Sequence, residues 1–316
     1  MTTAFYTHPD CLLHEMGAGH PEAPARLQAI EDQLIASRIE RFLEYHDGAP
    51  ATDAMITAVH DAGSLDFVTR NLPAIESGPG VYFAIDDDTS LNAFSLQAAL
   101  RAAGLAVATT DAVIAGHVEN AFCAIRPPGH HARQSTPMGF CLFNNVAIAA
   151  RHAMAAQGLE RIAIVDFDVH HGNGTEEAFR DDPRVLMVSF FQYPFYPCTE
   201  GAVLPPARPN MLNQPLPAYT AGDVVRQLVT DVWLPALEAH RPQMIFISAG
   251  FDAHREDDMG QMCLVEADYA WITQQVMRAA ATHAQGRIVS CLEGGYDLSS
   301  LGRSVVAHVK ALAQLD

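Results

Sequence analysis

Positive charge is in short supply in this chain. Lys and Arg together number 19, against 37 Asp and Glu, in 316 residues. The formal net charge of −18, with histidine neutral, argues against nonspecific nucleic-acid or anionic-membrane partners, which need basic surfaces. It is compatible with a cationic partner, and equally with acidity that serves solubility alone. Cysteine is sparse as well. Cys11, Cys123, Cys141, Cys198, Cys263 and Cys291 include no C-x-x-C pair, which leaves no disulfide framework in a chain of this length. They read as reduced thiols, and the expected compartment is the cytoplasm. The opening residues MTTAFYTHPDCLLHE show no basic segment followed by an apolar one, so no signal peptide is expected. Long uninterrupted apolar runs are missing too. The longest, within 93–116, contains Arg101 and Asp111 and reads as a core-facing helix rather than a membrane span. No internal repeat, low-complexity tract or Gly/Ser linker interrupts the chain, and one domain over 1–316 is expected.

What is present is a large core. Hydrophobic residues make up 49% and charged residues 18%, a composition that folds. Short apolar runs alternate with helical patterns. Strands are predicted near 3–6, 121–125, 162–168, 185–190, 244–248 and 287–291. Helices are predicted over 24–38, 93–116, 142–157, 222–239, 266–284 and 298–314. That alternation implies βαβ crossovers and a mainly parallel sheet with helices on both faces. Such sheets bind ligands at the carboxyl ends of their strands. The segment 194–217 holds seven prolines and reads as a stiff irregular loop of functional length.

Polar clusters follow the apolar runs. In VDFDVHHGNGT, Val165 to Thr175, a buried strand carries two aspartates and ends in two histidines. Buried charge is costly unless paired or bound to metal. Side chains alternate along a strand, so Asp166, Asp168 and His170 would share one face. Asp oxygen and His nitrogen suit Zn²⁺, Fe²⁺ or Mn²⁺. Asp252, beyond the strand in QMIFISAGFDAH, reads equally as a helix cap or as the third ligand of a centre with an open position. In AFCAIRPPGHHARQSTPMGFCLFNN, a strand leads through a Pro-Pro-Gly turn to His130 and His131. An imidazole there is matched to take a proton from water activated by a metal. Gly139 and Phe140 follow, and the ring would wall a narrow channel. In RIVSCLEGGYDLSSL, a strand ends at Glu293, Gly294, Gly295 and Tyr296. The two glycines read as a hinge, and the tyrosine as a packed ring or an oxyanion donor.

The order of RPPGHHA, GFCLFNNVAIAA, DFDVHHGNGT, SAGFDAH and LEGGYDL resembles the histone deacetylase and acetylpolyamine amidohydrolase superfamily. GAGHPEAPARL at 17–27 is similar to the entry motif of its class II-like branch. The resemblance spans roughly residues 6–312. It implies an arginase-like three-layer αβα sandwich around an eight-stranded, mainly parallel sheet. It implies a zinc-dependent deacetylase, with Fe²⁺ as an alternative metal, acting on acylated lysine peptides or small acylated amines. Carried over by position, the metal ligands would be Asp168, His170 and Asp252. His131 would be the general base and then acid, supported by Asn173. His130 would be an electrostatic imidazole paired with Asp166, and Tyr296 would polarise the carbonyl. Gly139, Phe140, Tyr196 and Met259 would line the substrate channel. Asp88 would hold the substrate backbone at the rim, a role for which Asp87 stays open. A structural K⁺ beside Asp166, Asp168, His170, Ser189 and Phe190 is also implied.

The chain departs from the family where Tyr-Pro-Gly-Thr-Gly is common: Cys198 and Glu200 stand in place of two glycines. Met259 takes the position seven residues after the third metal ligand, where polyamine-selective relatives carry a glutamate. This favours acyl-lysine over acetylpolyamine. Asp252-Ala253-His254, in place of D-x-D, favours one metal over an arginase-like pair. His131 and Tyr296 together argue against a module that only binds.

Overall fold

The computed structural model describes residues 2–198 and 208–315. Ten strands are present among them: β1 (Thr3–Tyr6), β2 (Leu43–His46), β3 (Phe83–Ala84), β4 (Ser90–Leu91), β5 (Asn120–Cys123), β6 (Ile162–Asp166), β7 (Val185–Gln192), β8 (Met211–Leu216), β9 (Met244–Ala249) and β10 (Ile288–Leu292). Eight form one sheet in the order β2-β1-β5-β10-β9-β6-β7-β8, and every pairing in it is parallel. β3 and β4 make a separate antiparallel pair. The strands β5, β6, β7, β9 and β10 are buried at every residue. That is why they read as unbroken apolar runs: a parallel sheet covered on both faces has no wet side to encode.

The covering helices are α1 (Ala25–Ser37), α2 (Asp53–Ile56), α3 (Ala62–Arg70), α4 (Ser95–Ile114), α5 (Asn145–Ala155), α6 (Asn173–Phe179), α7 (Gly222–Leu228), α8 (Leu234–His240), α9 (Glu266–His283) and α10 (Leu298–Leu312). One group packs α1 on α10 and α10 on α9, while another packs α4 on α5. Both groups lie against the same central strands, and the result is the expected three-layer αβα sandwich with an eight-stranded sheet. No helix among the described residues is long and apolar enough to cross a membrane.

Three expectations change. The predicted loop 194–217 contains β8, hidden in the sequence because it is an edge strand with half-exposed residues and a proline, Pro215, inside it. Edge strands tolerate proline because one side of their ladder is unpaired. The helix expected over 222–239 is α7 and α8 joined through a π-helical turn, Val229–Trp233. Finally, β6 stops at Asp166, two residues short of the predicted end.

Strand order positions the chemistry. β5, β10, β9 and β6 are neighbours in the sheet, although β6 precedes β9 and β10 in the chain. The segments that leave their carboxyl ends begin at Ala124, Glu293, Gly250 and Phe167. Four motifs far apart in sequence therefore converge at the carboxyl ends of the central strands.

Candidate active site

Because β6 ends at Asp166, strand alternation does not place Asp168 and His170. Two turns do so instead. The Asp168 N–H donates to Asp166 Oδ1 at 3.1 Å, and the His170 N–H donates to Asp168 Oδ1 at 2.9 Å. These side-chain-to-backbone bonds curl the chain over the strand end. The ligand atoms of Asp168, His170 and Asp252 then all lie within 4.8 Å of one another, and all three residues are buried. His170 Nδ1 is 3.0 Å from Asp168 Oδ1 and 3.3 Å from Asp252 Oδ2. The second histidine of the pair, His171, points elsewhere, with Nε2 2.9 Å from Glu176.

Two glycines make room for this cluster. A Cβ on Gly250 would stand 2.1 Å from Asp168 Oδ2, and one on Gly294 would stand 1.9 Å from Asp252 Oδ2. Gly294 is thus a close-approach residue, and its N–H donates to Asp168 Oδ2 at 2.8 Å.

The donor set fits a divalent cation. Asp252 Oδ2 is buried and has no hydrogen-bond partner. Burial and the neighbouring Asp168 push the Asp252 carboxyl up to about 7, against the pull of His170. Two buried carboxylates and one imidazole, with their ligand atoms this close, suit Zn²⁺ or Fe²⁺. It is the one such group among the described residues. His254, at the position where a second metal would need a carboxylate, lies 3.6 Å from Glu266 instead.

The two adjacent histidines are held in opposite states. His130 Nδ1 lies 3.0 Å from Asp166 Oδ2. Burial disfavours its charge, but Asp168 and Asp166 outweigh that and lift the imidazole to about 10. His131 Nδ1 lies 2.8 Å from Asn173 Oδ1. Burial, followed by the charges of His130 and His170, drives His131 well below the ordinary histidine range. A neutral imidazole with Nδ1 engaged has Nε2 available to accept a proton.

A pocket of about 240 Å³ opens over this floor. Asp88, His131, Gly139, Phe140, His170, Phe195, Tyr196, Asp258, Met259 and Tyr296 line it. Asp88 is among them and Asp87 is not. The Phe140 backbone has a φ of 65°, a costly left-handed conformation for a bulky residue. Its N–H donates to Thr89 Oγ1 at 3.1 Å, and that hydroxyl donates to Asp88 Oδ1 at 2.9 Å. The rim carboxylate and the channel wall are thereby built together. Phe140 and Tyr296 meet edge to face at 5.7 Å, and Tyr196 meets His131 in the same way at 5.2 Å. Phe195 stacks on His170 at 5.4 Å. Burial, reinforced by Asp252 and Asp168 and opposed by Arg26, holds the Tyr296 phenol well above its usual range, so it is a protonated donor. Ser189 and Phe190 lie deeper in β7, with Ser189 in register with Asp166. Cys198 is half-buried, and Glu200 lies outside the described residues. A larger groove of about 350 Å³, lined by Leu12, Leu13, Ile75 and Phe94 among others, lies away from these groups.

Supporting residues are prominent here that no motif reading singled out. Glu293 is fully buried, and its Oε2 accepts the N–H groups of Gly129 and His130 at 2.7 and 3.1 Å. Its other oxygen takes the Ser248 hydroxyl at 3.1 Å. Arg26, also fully buried, donates to the carbonyls of Gly295 and Glu293 at 2.6 and 2.5 Å. Its guanidinium lies over the Tyr296 ring, 4.8 Å from the centroid. Glu22 bridges Arg26 and Arg126. Burial would raise the Glu22 carboxyl, but the two arginines hold it at about 2. Glu22 and Arg26 belong to the GHPEAPARL motif, and Arg126 opens RPPGHH. Glu293 lay in plain view in LEGGY, but its partners are backbone groups that no spacing reveals.

The chain is similar to known proteins along nearly its whole length. The family model described as histone deacetylase domain matches residues 20–312. The chain is 36% identical to a histone deacetylase-like amidohydrolase of Pseudomonas aeruginosa, over 93% of this chain and 81% of that protein. It is 37% identical to a type-2 histone deacetylase 2 of Dictyostelium discoideum, over 99% of this chain but only 21% of that longer protein. Among solved structures, the crystal structure of an HDA15 HD domain superposes with a TM-score of 0.89 at 34% identity, covering 99% of this chain and 90% of that one.

Proposed function

Because this chain belongs to the histone deacetylase family, we propose that it hydrolyses the amide of N-acylated lysine or a related acylated amine, using a divalent cation held by Asp168, His170 and Asp252. The observation that carries this reading is the shared pocket. The floor that gathers the three ligands also presents a neutral imidazole and a protonated phenol to one small apolar channel. When bound, the cation would supply Lewis acidity to the acyl carbonyl and to water. The rest falls to the chain. Phe140 and Tyr196 flank the alkyl chain and exclude water from the floor. His131 accepts a proton from the attacking water at Nε2, with Asn173 Oδ1 fixing the tautomer. The same nitrogen then returns the proton to the departing amine. Tyr296 donates its hydroxyl hydrogen to the carbonyl oxygen as charge develops there. His130, charged beside Asp166, adds fixed positive potential below the site.

Zinc, with Fe²⁺ as the alternative, belongs to this proposal, as does a potassium ion beside Asp166, Asp168, His170, Ser189 and Phe190. Ser189 donates to Asn213 Oδ1 at 2.8 Å, which leaves its lone pairs for a cation. A reducing, cytoplasmic setting is also part of it, supported by six free cysteines.

The substrate reading rests on Met259, an apolar residue at the pocket wall. We expect higher kcat/KM for acetyl-lysine peptides than for acetylputrescine or acetylspermidine, measured as acetate release from a panel that includes longer acyl-lysines. One observation favours the polyamine reading: among the described residues, Asp88 and Asp258 both border the pocket and no Lys or Arg does. A higher kcat/KM for the acetylpolyamines would establish that second reading in place of the first.

A further inference from the structure

Asp257 lies five residues beyond the third ligand, in the segment that follows β9, and is 4% exposed. Its carboxylate is spent on backbone N–H groups. Oδ2 accepts from Tyr296 at 2.6 Å and from Asp297 at 3.0 Å, and Oδ1 accepts from Met259 at 2.9 Å. Its own N–H donates to the His254 carbonyl at 2.9 Å, which ties it back to the loop of the metal ligand Asp252. No ion pair to Asp257 is present among the described residues. Three amide donors are what satisfy this buried charge, and bonds from N–H groups to a carboxylate are strong and directional.

The identity of the three donors matters. Tyr296 and Met259 both line the pocket, one as the hydroxyl donor and the other as the wall against the substrate chain. Asp297 caps α10, accepting the Ser300 N–H at 2.7 Å. One carboxylate therefore joins the tunnel wall, the tyrosine and the rigid start of a helix.

We infer that Asp257 is a positioning residue that holds Tyr296 and Met259 as a single unit, so that the fit of the substrate chain at Met259 and the placement of the Tyr296 hydroxyl are set together. This rests on the hydrolase reading above and deepens it. Hydroxyl donors act only when placed on the developing charge, and a misplacement of about 1 Å costs up to about 10²-fold in rate.

The test is a double-mutant cycle on the full chain, assayed with an acetyl-lysine peptide and with metal content measured in every variant. Asp257→Ala is expected to lower kcat by roughly 10²-fold with metal retained. In a Tyr296→Phe background the same change is expected to cost less than about 3-fold, because its route of action is already gone. Asp257→Asn can still offer one oxygen to Tyr296 and Asp297, but turns an NH₂ group towards the Met259 N–H. It is expected to recover most of the kcat lost in Asp257→Ala while raising KM. Should Asp257→Ala fail to fold, the cycle with Asp257→Asn carries the test, with its smaller kcat loss again vanishing in the Tyr296→Phe background. Equal factors in both backgrounds, or a lower melting temperature with kcat per folded chain intact, would show an ordinary structural anchor and overturn the inference. Failure of the hydrolase reading looks different: the wild-type chain loaded with metal would then release no acetate at all.

Discussion

His131→Ala is expected to lower kcat by on the order of 10²–10⁴, the range over which a positioned acid–base group contributes, while bound metal stays at the wild-type level. The residue is not one of the three ligands, so its loss leaves the cation cluster intact. Its ring nitrogen Nδ1 is committed to Asn173, and burial, with the charges of His130 and His170, holds the ring neutral. Removing it takes away the group that accepts the proton of the attacking water and returns it to the amine. Substrate binding should change little, because Phe140, Tyr196 and Met259 form the channel wall and remain. Elemental analysis and steady-state kinetics on the same preparation check both halves. Loss of metal in this variant would mean that His131 is a ligand and the roles are misassigned.

Tyr296→Phe is expected to cost 10²–10³ in kcat, about 3–4 kcal/mol, the usual loss for one oxyanion donor. The ring would keep its contacts with Phe140 and with the Arg26 guanidinium, so only the hydroxyl is tested. A cation alone could polarise the substrate carbonyl, but the tetrahedral intermediate carries a full negative charge on that oxygen. A donor aimed at that charge in a water-poor pocket favours the transition state over the substrate. KM and metal content should therefore stay near wild type. If the variant keeps more than about a tenth of wild-type kcat, far less than a donor's usual contribution, Tyr296 is a packed ring and the donor lies elsewhere.

Much of this was legible in the residues, for identifiable reasons. The central strands announced themselves as apolar runs because both faces are buried, and Val185–Gln192 is the longest of them. The ligand and histidine motifs were legible because each is contiguous. What spacing could not supply was the insertion of β9 between β6 and β10, which brings Asp252 to Asp168 and Gly294. Nor could it show that β6 ends at Asp166 and that Asx-type turns, not strand alternation, aim the ligands. β2 and β8 were missed because both lie at sheet edges and expose much of their length. Glu293, Asp257 and Arg26 were given no role because their main partners are backbone groups, in the case of Arg26 and Gly295 separated by 269 positions. A carboxylate that binds an amide leaves no complementary residue in the sequence to pair with it.

The central claim is that one cation, held by Asp168, His170 and Asp252, serves amide hydrolysis in this pocket. Its most direct test is to strip the protein of metal, titrate Zn²⁺ back, and follow acetate release from an acetyl-lysine peptide. The account predicts no release without metal, a linear rise on addition, and a plateau at one equivalent per chain. Release that needs no metal, a plateau at two equivalents, or no release at any loading with Zn²⁺ or Fe²⁺ would contradict it.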